Sequence, residues 1–210
     1  MFVTFEGIDG SGKSTQLSRV ASWVRAQGHH VIETRDPGGT EVSEQVRRLL
    51  LSSDVSLDAR TELFLFAAAR AQLVAEQIRP ALQAGHAVFC DRFYDSTTAY
   101  QGGGRGAVPK EWLHSLHQHT TGGLVPDRTY LIDVPVAVAQ TRRVQEVNDR
   151  MEQEQESFHK DVRSAYRALA LDEPQRICMI DGTADVETIT KQIQADIKQH
   201  WPAWATGTPQ

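Results

Sequence analysis

The residues Gly7-Ile8-Asp9-Gly10-Ser11-Gly12-Lys13-Ser14 set one glycine, four further residues and then Gly-Lys-Ser. That spacing lets successive backbone N–H groups curl around a phosphate chain, while Lys13 reaches the outer phosphates and the Ser14 hydroxyl can ligate Mg²⁺. An apolar run, Phe2 to Glu6, leads into the loop, and a helix-like stretch from Thr15 to Gln27 leaves it. A helix N-terminus there adds unpaired N–H groups and the positive end of a dipole, both favouring an anion. The chemistry indicated is that of a nucleoside triphosphate, with the second substrate left open.

Asp91 closes the run Ala87-Val88-Phe89-Cys90, which puts a carboxylate at a strand end where a magnesium-organising acid is wanted. A helix-capping aspartate is the plainer reading of the same position. Arginines accumulate around it: Arg35, Arg70, Arg92, Arg105, and then Arg142, Arg143 and Arg150 in one charged stretch. Singly each reads as a surface residue. At strand ends, however, Arg35 and Arg92 are well placed to neutralise phosphates that repel as donor and acceptor approach.

Short apolar, β-branched or aromatic runs alternate with longer amphipathic ones, the pattern of βαβ units and a parallel sheet. Strands are expected near 2–6, 30–34, 86–90, 128–133 and 176–181. Helices are expected over 13–27, 41–51, 59–84, 93–101, 109–120, 135–145, 153–171 and 185–199. With no repeat and no linker, the 210 residues suit one doubly wound domain whose ligands bind beyond the carboxyl ends of the strands. The breaker-rich stretch 35–40 and the glycine-rich stretch 101–106 read as loops at that end. Residues 142–156 read as a mobile charged segment, and 203–210 as a disordered tail.

A net charge of −5 argues against a general nucleic-acid binder. Cys90 and Cys178 lie in apolar β-like runs and read as buried free thiols, fitting a reducing compartment. No leader and no apolar run of membrane-spanning length is visible, so a cytoplasmic protein is expected. His114, His117 and His119 lack a completing ligand set and read as solvated helix-face residues, not as a metal site.

The ordered set Phe5-Glu6-Gly7-Ile8-Asp9-Gly10-Ser11-Gly12-Lys13-Ser14-Thr15, Arg35-Asp36-Pro37-Gly38-Gly39-Thr40, Phe66-Ala67-Ala68-Ala69-Arg70, Asp91-Arg92-Phe93, Ser96-Thr97-Thr98-Ala99-Tyr100-Gln101-Gly102 and Asp149-Arg150-Met151-Glu152 resembles thymidylate kinase over nearly the whole chain. The resemblance implies a three-layer P-loop nucleoside monophosphate kinase fold with a five-stranded parallel sheet, a lid near 142–156, and transfer of phosphate from Mg·ATP to dTMP in dTTP biosynthesis. It implies that Gly7, Ile8, Asp9, Gly10, Ser11, Gly12, Lys13, Ser14 and Thr15 hold ATP, with Arg142 near adenine, and that Ser14 and Asp91 hold Mg²⁺. It places Asp9 on the 3′-hydroxyl of dTMP and Arg35 and Arg92 on its phosphate. Phe66 would stack on the base and Arg70 bond its edge, with Ser96 and Thr97 lining the base pocket, Tyr100 packed against the deoxyribose and Gln101 close by. A homodimer is also implied.

Family members differ in where a catalytic arginine comes from. Here the loop position that would carry it is Gly10, which resembles the bacterial type with a lid arginine. The lid, reading Arg142-Arg143-Val144-Gln145-Glu146-Val147-Asn148-Asp149-Arg150, is shortened and lacks the usual glycine. Arg143 is the favoured catalyst and Arg150 the alternative. Asp36 stands where Glu is usual. The rival readings are another nucleotide or nucleoside kinase on the same fold, a GTP-dependent switch, and an ATP-binding scaffold. Paired phosphate-binding arginines weigh against a nucleoside acceptor. The sole asparagine, Asn148, gives no Asn-Lys-x-Asp guanine motif.

Overall fold

The computed structural model describes residues 1–143, 150–151 and 154–205. Among these, five strands form a wholly parallel sheet in the order β2-β3-β1-β4-β5: β1 Phe2–Glu6, β2 Val31–Arg35, β3 Ala87–Asp91, β4 Arg128–Asp133 and β5 Ile177–Asp181. β1 is buried along its whole length because both faces are covered, as its unbroken apolar run requires. On one face α1 (Lys13–Ala26) and α9 (Val186–His200) pack Leu17, Val20, Val24, Ile189 and Ile193 against Val3, Phe5, Phe89 and Tyr130. On the other, Phe2, Val88 and Cys90 meet Leu73, Val74 and Ile78, while Leu131 meets Phe158, Val162 and Tyr166 of α8 (Glu156–Asp172).

The remaining helices are α2 (Glu41–Leu51), α3 (Ala59–Leu73), α4 (Arg79–Gln83), α5 (Tyr94–Thr97), α6 (Lys110–Thr121), α7 (Val136–Arg142) and α10 (Pro202–Ala205). Thr40 caps α2 by accepting from Ser43 N (3.2 Å), Asp58 caps α3 from Arg60 N (2.9 Å) and Asp185 caps α9 from Thr188 N (2.9 Å). No described helix is long and apolar enough to cross a membrane.

Several expectations need correction. The helix expected over 59–84 is interrupted by a π-helical turn, Val74–Ile78. The glycine-rich stretch after Tyr100 is no open loop: Thr98–Gly104 is π-helical and lies flat on α8. A Cβ on Gly103 would sit 2.5 Å from Ala165 Cβ, and one on Gly104 would sit 2.5 Å from the Phe158 ring, so the missing side chains are what permits the approach. Residues 203–205 belong to α10, whose Trp204 packs on His29 with ring centroids 4.4 Å apart; 206–210 lie outside the described residues. α7 ends at Arg142 and α8 starts at Glu156, and of the charged segment between them residues 143, 150–151 and 154–155 are described. Cys90 is buried as expected, whereas Cys178, on edge strand β5, is only partly covered.

Candidate active site

The loop from Gly7 to Gly12 joins β1 to α1 at the carboxyl end of the sheet, where β1 connects on to β2 toward one edge and its neighbour β4 connects on to β5 toward the other. This is the topological switch point where an open parallel sheet binds ligands. Gly12 adopts φ 95° and leaves α1 without a side-chain cap, so the first-turn N–H groups remain for a ligand. A cleft runs from Asp9 through Gln16 and is walled by Arg142, Gly182, Thr183, Asp185 and Val186. Arg142 donates to Gly182 O (3.0 Å) and Ser11 O (3.4 Å), which ties the end of α7 across this cleft. Beside it the Ser14 hydroxyl donates to Asp91 Oδ2.

A second cleft opens on the far side of Asp9, which lines both. Phe66, Arg70, Arg92, Ser96, Thr97, Tyr100 and Gln101, all expected at the acceptor site, surround it. Arg70 is fully buried. It donates through Nε to Asp36 Oδ2 (2.5 Å) and through an Nη to Thr97 Oγ1 (2.6 Å); its other Nη and Asp36 Oδ1 have no hydrogen-bond partner among the described residues. Arg92 is the pivot between the clefts. It donates to Gly7 O (3.0 Å), Asp9 Oδ1 (2.6 Å), Ser96 Oγ (3.1 Å), Tyr166 OH (3.1 Å) and Tyr100 OH (3.2 Å), and its guanidinium lies over the Tyr100 ring.

Charge follows from this wiring. Burial works against an ionised Asp9, but Arg92 and Lys13 (3.2 Å) outweigh it and hold the carboxyl well below the usual carboxylate range. Burial and the nearby Asp95 push the fully buried Glu6 up to about 7, with Arg92 opposing. Burial also raises Tyr100, despite Arg92, so its hydroxyl stays protonated at neutral pH.

A family model described as thymidylate kinase matches residues 5–193. The chain belongs to the thymidylate kinase family. A thymidylate kinase of Desulfovibrio desulfuricans is 46% identical over 209 residues, spanning 95% of this chain and 96% of the relative. One of Bifidobacterium longum is 44% identical over 203 residues, spanning 95% and 98%. The crystal structure of a thymidylate kinase from Ehrlichia chaffeensis superposes with a TM-score of 0.77 at 34% identity, covering 94% of this chain and 98% of that one.

Set in the thymidylate kinase fold, the arginines of the segment expected as a lid separate. Arg143 follows α7 with its stem over Gly10, where an added Cβ would lie 3.0 Å from its Cγ and strike Ala139 O; Gly10 is also at φ 81°. Arg143 Nε is buried with no partner among the described residues. Arg150 instead donates to Leu50 O (3.0 Å) and ion-pairs with buried Glu62 (2.7 Å), a hub that also takes Gln101 and Arg105. Residues 144–149 and 152–153 of the segment expected as a lid lie outside the described residues.

Arg35, expected on the acceptor's phosphate, does not line the second cleft. It lines a separate groove with Ser14, Thr34 and Asp91, because Glu44 in the first turn of α2 captures its guanidinium (3.0 Å). Arg47, Pro37, Leu51 and Met151 line the second cleft unanticipated, and Arg47 donates to Pro37 O (3.0 Å). The one-turn spacing of Arg47 and Leu51 on α2 was the available signal. His117 is buried, not solvated: it stacks on Tyr94 and bonds Thr98 Oγ1 (2.9 Å). No group of three metal-binding side chains occurs among the described residues.

Proposed function

We infer that the chain transfers the γ-phosphoryl group of ATP to dTMP, yielding ADP and dTDP for dTTP synthesis. The observation that carries the reading is that two clefts, one built on the phosphate loop and one on Phe66, Arg70 and Tyr100, meet at a single carboxylate, Asp9, beside Arg92. Two phosphorylated ligands entering them would bring their phosphates together there.

In this reading the loop N–H groups and Lys13 hold the β- and γ-phosphates, and Arg142 borders the adenosine end of the cleft. Ser14 and Asp91 offer a hydroxyl and a carboxylate in mutual contact, a hard oxygen donor pair suited to magnesium. Bound there, the ion would neutralise charge on the outer phosphates. Asp9 takes the acceptor's 3′-hydroxyl and Arg92 its phosphate. Phe66 stacks on thymine, the unpartnered Arg70 Nη meets a base carbonyl, and Gln101 and Thr97 complete the pocket. Tyr100 crowds the 2′ position, which favours a deoxyribose. Arg47 adds positive charge to the same cleft.

The acceptor phosphate is already a competent nucleophile at neutral pH, so the reaction demands positioning and charge stabilisation more than a base. Arg143, next to the loop, supplies the cation that a side chain at position 10 would otherwise bring. Closure of the lid excludes water as a competing acceptor. A cytoplasmic homodimer belongs to the same reading; Phe64 (52% exposed) and Trp112 (40%) form an edge-to-face pair on an outer face of α3 and α6 that a second copy would cover.

The test is ADP release with Mg·ATP and each of dTMP, dUMP, UMP, CMP, AMP and thymidine. dTMP is expected to give the highest kcat/KM. Preference for any other acceptor overturns the assignment.

A further inference from the structure

Arg92 adopts φ 70°, a left-handed backbone that non-glycine residues avoid and that surrounding structure must impose. The residue arranged to impose it is Glu6, the last of β1, which is fully buried. One carboxylate oxygen accepts the Phe93 N–H (2.7 Å), pinning the peptide unit that follows Arg92. The other accepts both the Ser96 hydroxyl (2.6 Å) and the Tyr166 hydroxyl (2.9 Å). Those two hydroxyl oxygens are in turn acceptors for the same Nη of Arg92, each at 3.1 Å.

The direction of the protons gives this arrangement its force. In its ionised form Glu6 can only accept, and each hydroxyl has one proton to give. Ser96 Oγ and Tyr166 OH also lie 2.7 Å apart, a contact in which either could donate; with ionised Glu6 as the stronger acceptor, both protons turn toward it and the lone pairs of Ser96 and Tyr166 face the guanidinium. An amide at position 6 has only one accepting atom, so either the Phe93 contact or the hydroxyl contacts must lose theirs, and a hydroxyl proton is freed to turn toward a cation.

We propose that Glu6 is a positioning residue for phosphoryl transfer, which sets Arg92 through the Phe93 N–H on the backbone side and through Ser96 and Tyr166 on the guanidinium side. The proposal rests on the reading of Arg92 as the group that receives the acceptor's phosphate. Glu6 touches neither substrate cleft.

The experiment is steady-state kinetics on the full chain for Glu6→Gln, Tyr166→Phe and Arg92→Ala, with thermal melting of each. Tyr166→Phe keeps the buried ring and removes only the hydroxyl. In Glu6→Gln the KM for dTMP is expected to rise about tenfold, and in Tyr166→Phe by about threefold, with the KM for ATP changed by less than about twofold in both. A merely structural role would lower kcat per milligram as folded protein is lost and leave both KM values alone. That pattern in both variants, beside a raised KM for dTMP in Arg92→Ala, overturns the role of Glu6. An unchanged KM for dTMP in Arg92→Ala overturns the reading of Arg92 instead. If wild-type enzyme prefers another monophosphate, the activity assignment has failed and the same variants are read on that acceptor.

Discussion

His117 shows how one buried side chain sets a pH response. Burial, then Arg70 and His114, pull its imidazole from 6.5 down to about 3, so the folded protein keeps it neutral where the unfolded chain takes up a proton. The unfolded state therefore binds more protons between those values, and stability rises with pH across that window, by up to about 1.4 kcal/mol per pH unit. His117→Gln is expected to flatten this slope in urea titrations from pH 4 to pH 7 on the order of one proton's worth. At the lid, Arg143→Ala is expected to lower kcat by about 10²-fold or more, the scale of a lost cation on a transferring phosphate, and Arg150→Ala to lower it far less. Intact kcat in the first and abolished kcat in the second would reverse the assignment. What was legible at this scale was what is local: Gly-Lys-Ser after the loop, Asp91 and Arg92 after a strand. The pairing of Arg35 with Glu44 was not legible because Glu44 lies one loop and a helical turn away. Glu6 went unweighed because a strand-end glutamate looks solvated until its three donors from other segments are brought around it.

Strand and helix placement came largely from periodicity, and β1, β2, β3, β4 and β5 start and stop within one residue of the ranges read from the apolar runs. The two π-helical turns were invisible because one extra residue in a turn barely disturbs an apolar pattern. In Thr98–Gly104 three glycines read as a loop by propensity, whereas contact with α8 overrides propensity. This contact is testable. Gly104→Ala places a methyl against Phe158 and Val162 and is expected to cost about 1–3 kcal/mol in chemical denaturation. Because the same turn carries Tyr100 and Gln101, the loss should appear in the KM for dTMP before it appears in that for ATP. Gly10 belongs to the same logic: α7 packs so closely on the phosphate loop that position 10 has no room for a side chain, which leaves the flanking Arg143 to supply charge.

At the scale of the molecule, the exposed Phe64 and Trp112 predict a self-association surface on α3 and α6. Phe64→Glu is expected to shift sedimentation from dimer to monomer while leaving Leu63, Ala67 and Leu73, which face the core, undisturbed. The apolar stretch from Leu63 to Leu73 could not be divided between core and surface until its neighbours were known; the helix gives some residues to each. One further consequence attaches to Asp9. Its carboxylate is shared by both clefts and is held by Lys13 from one side and by Arg92 and Tyr100 from the other, so a ligand that rearranges those contacts from either cleft changes what the other cleft presents. Linkage then requires reciprocity: whatever factor a non-hydrolysable ATP analogue imposes on the dissociation constant of dTMP, dTMP must impose on that of the analogue. Titration calorimetry in both orders measures that factor, and Asp9→Asn is expected to bring it toward one.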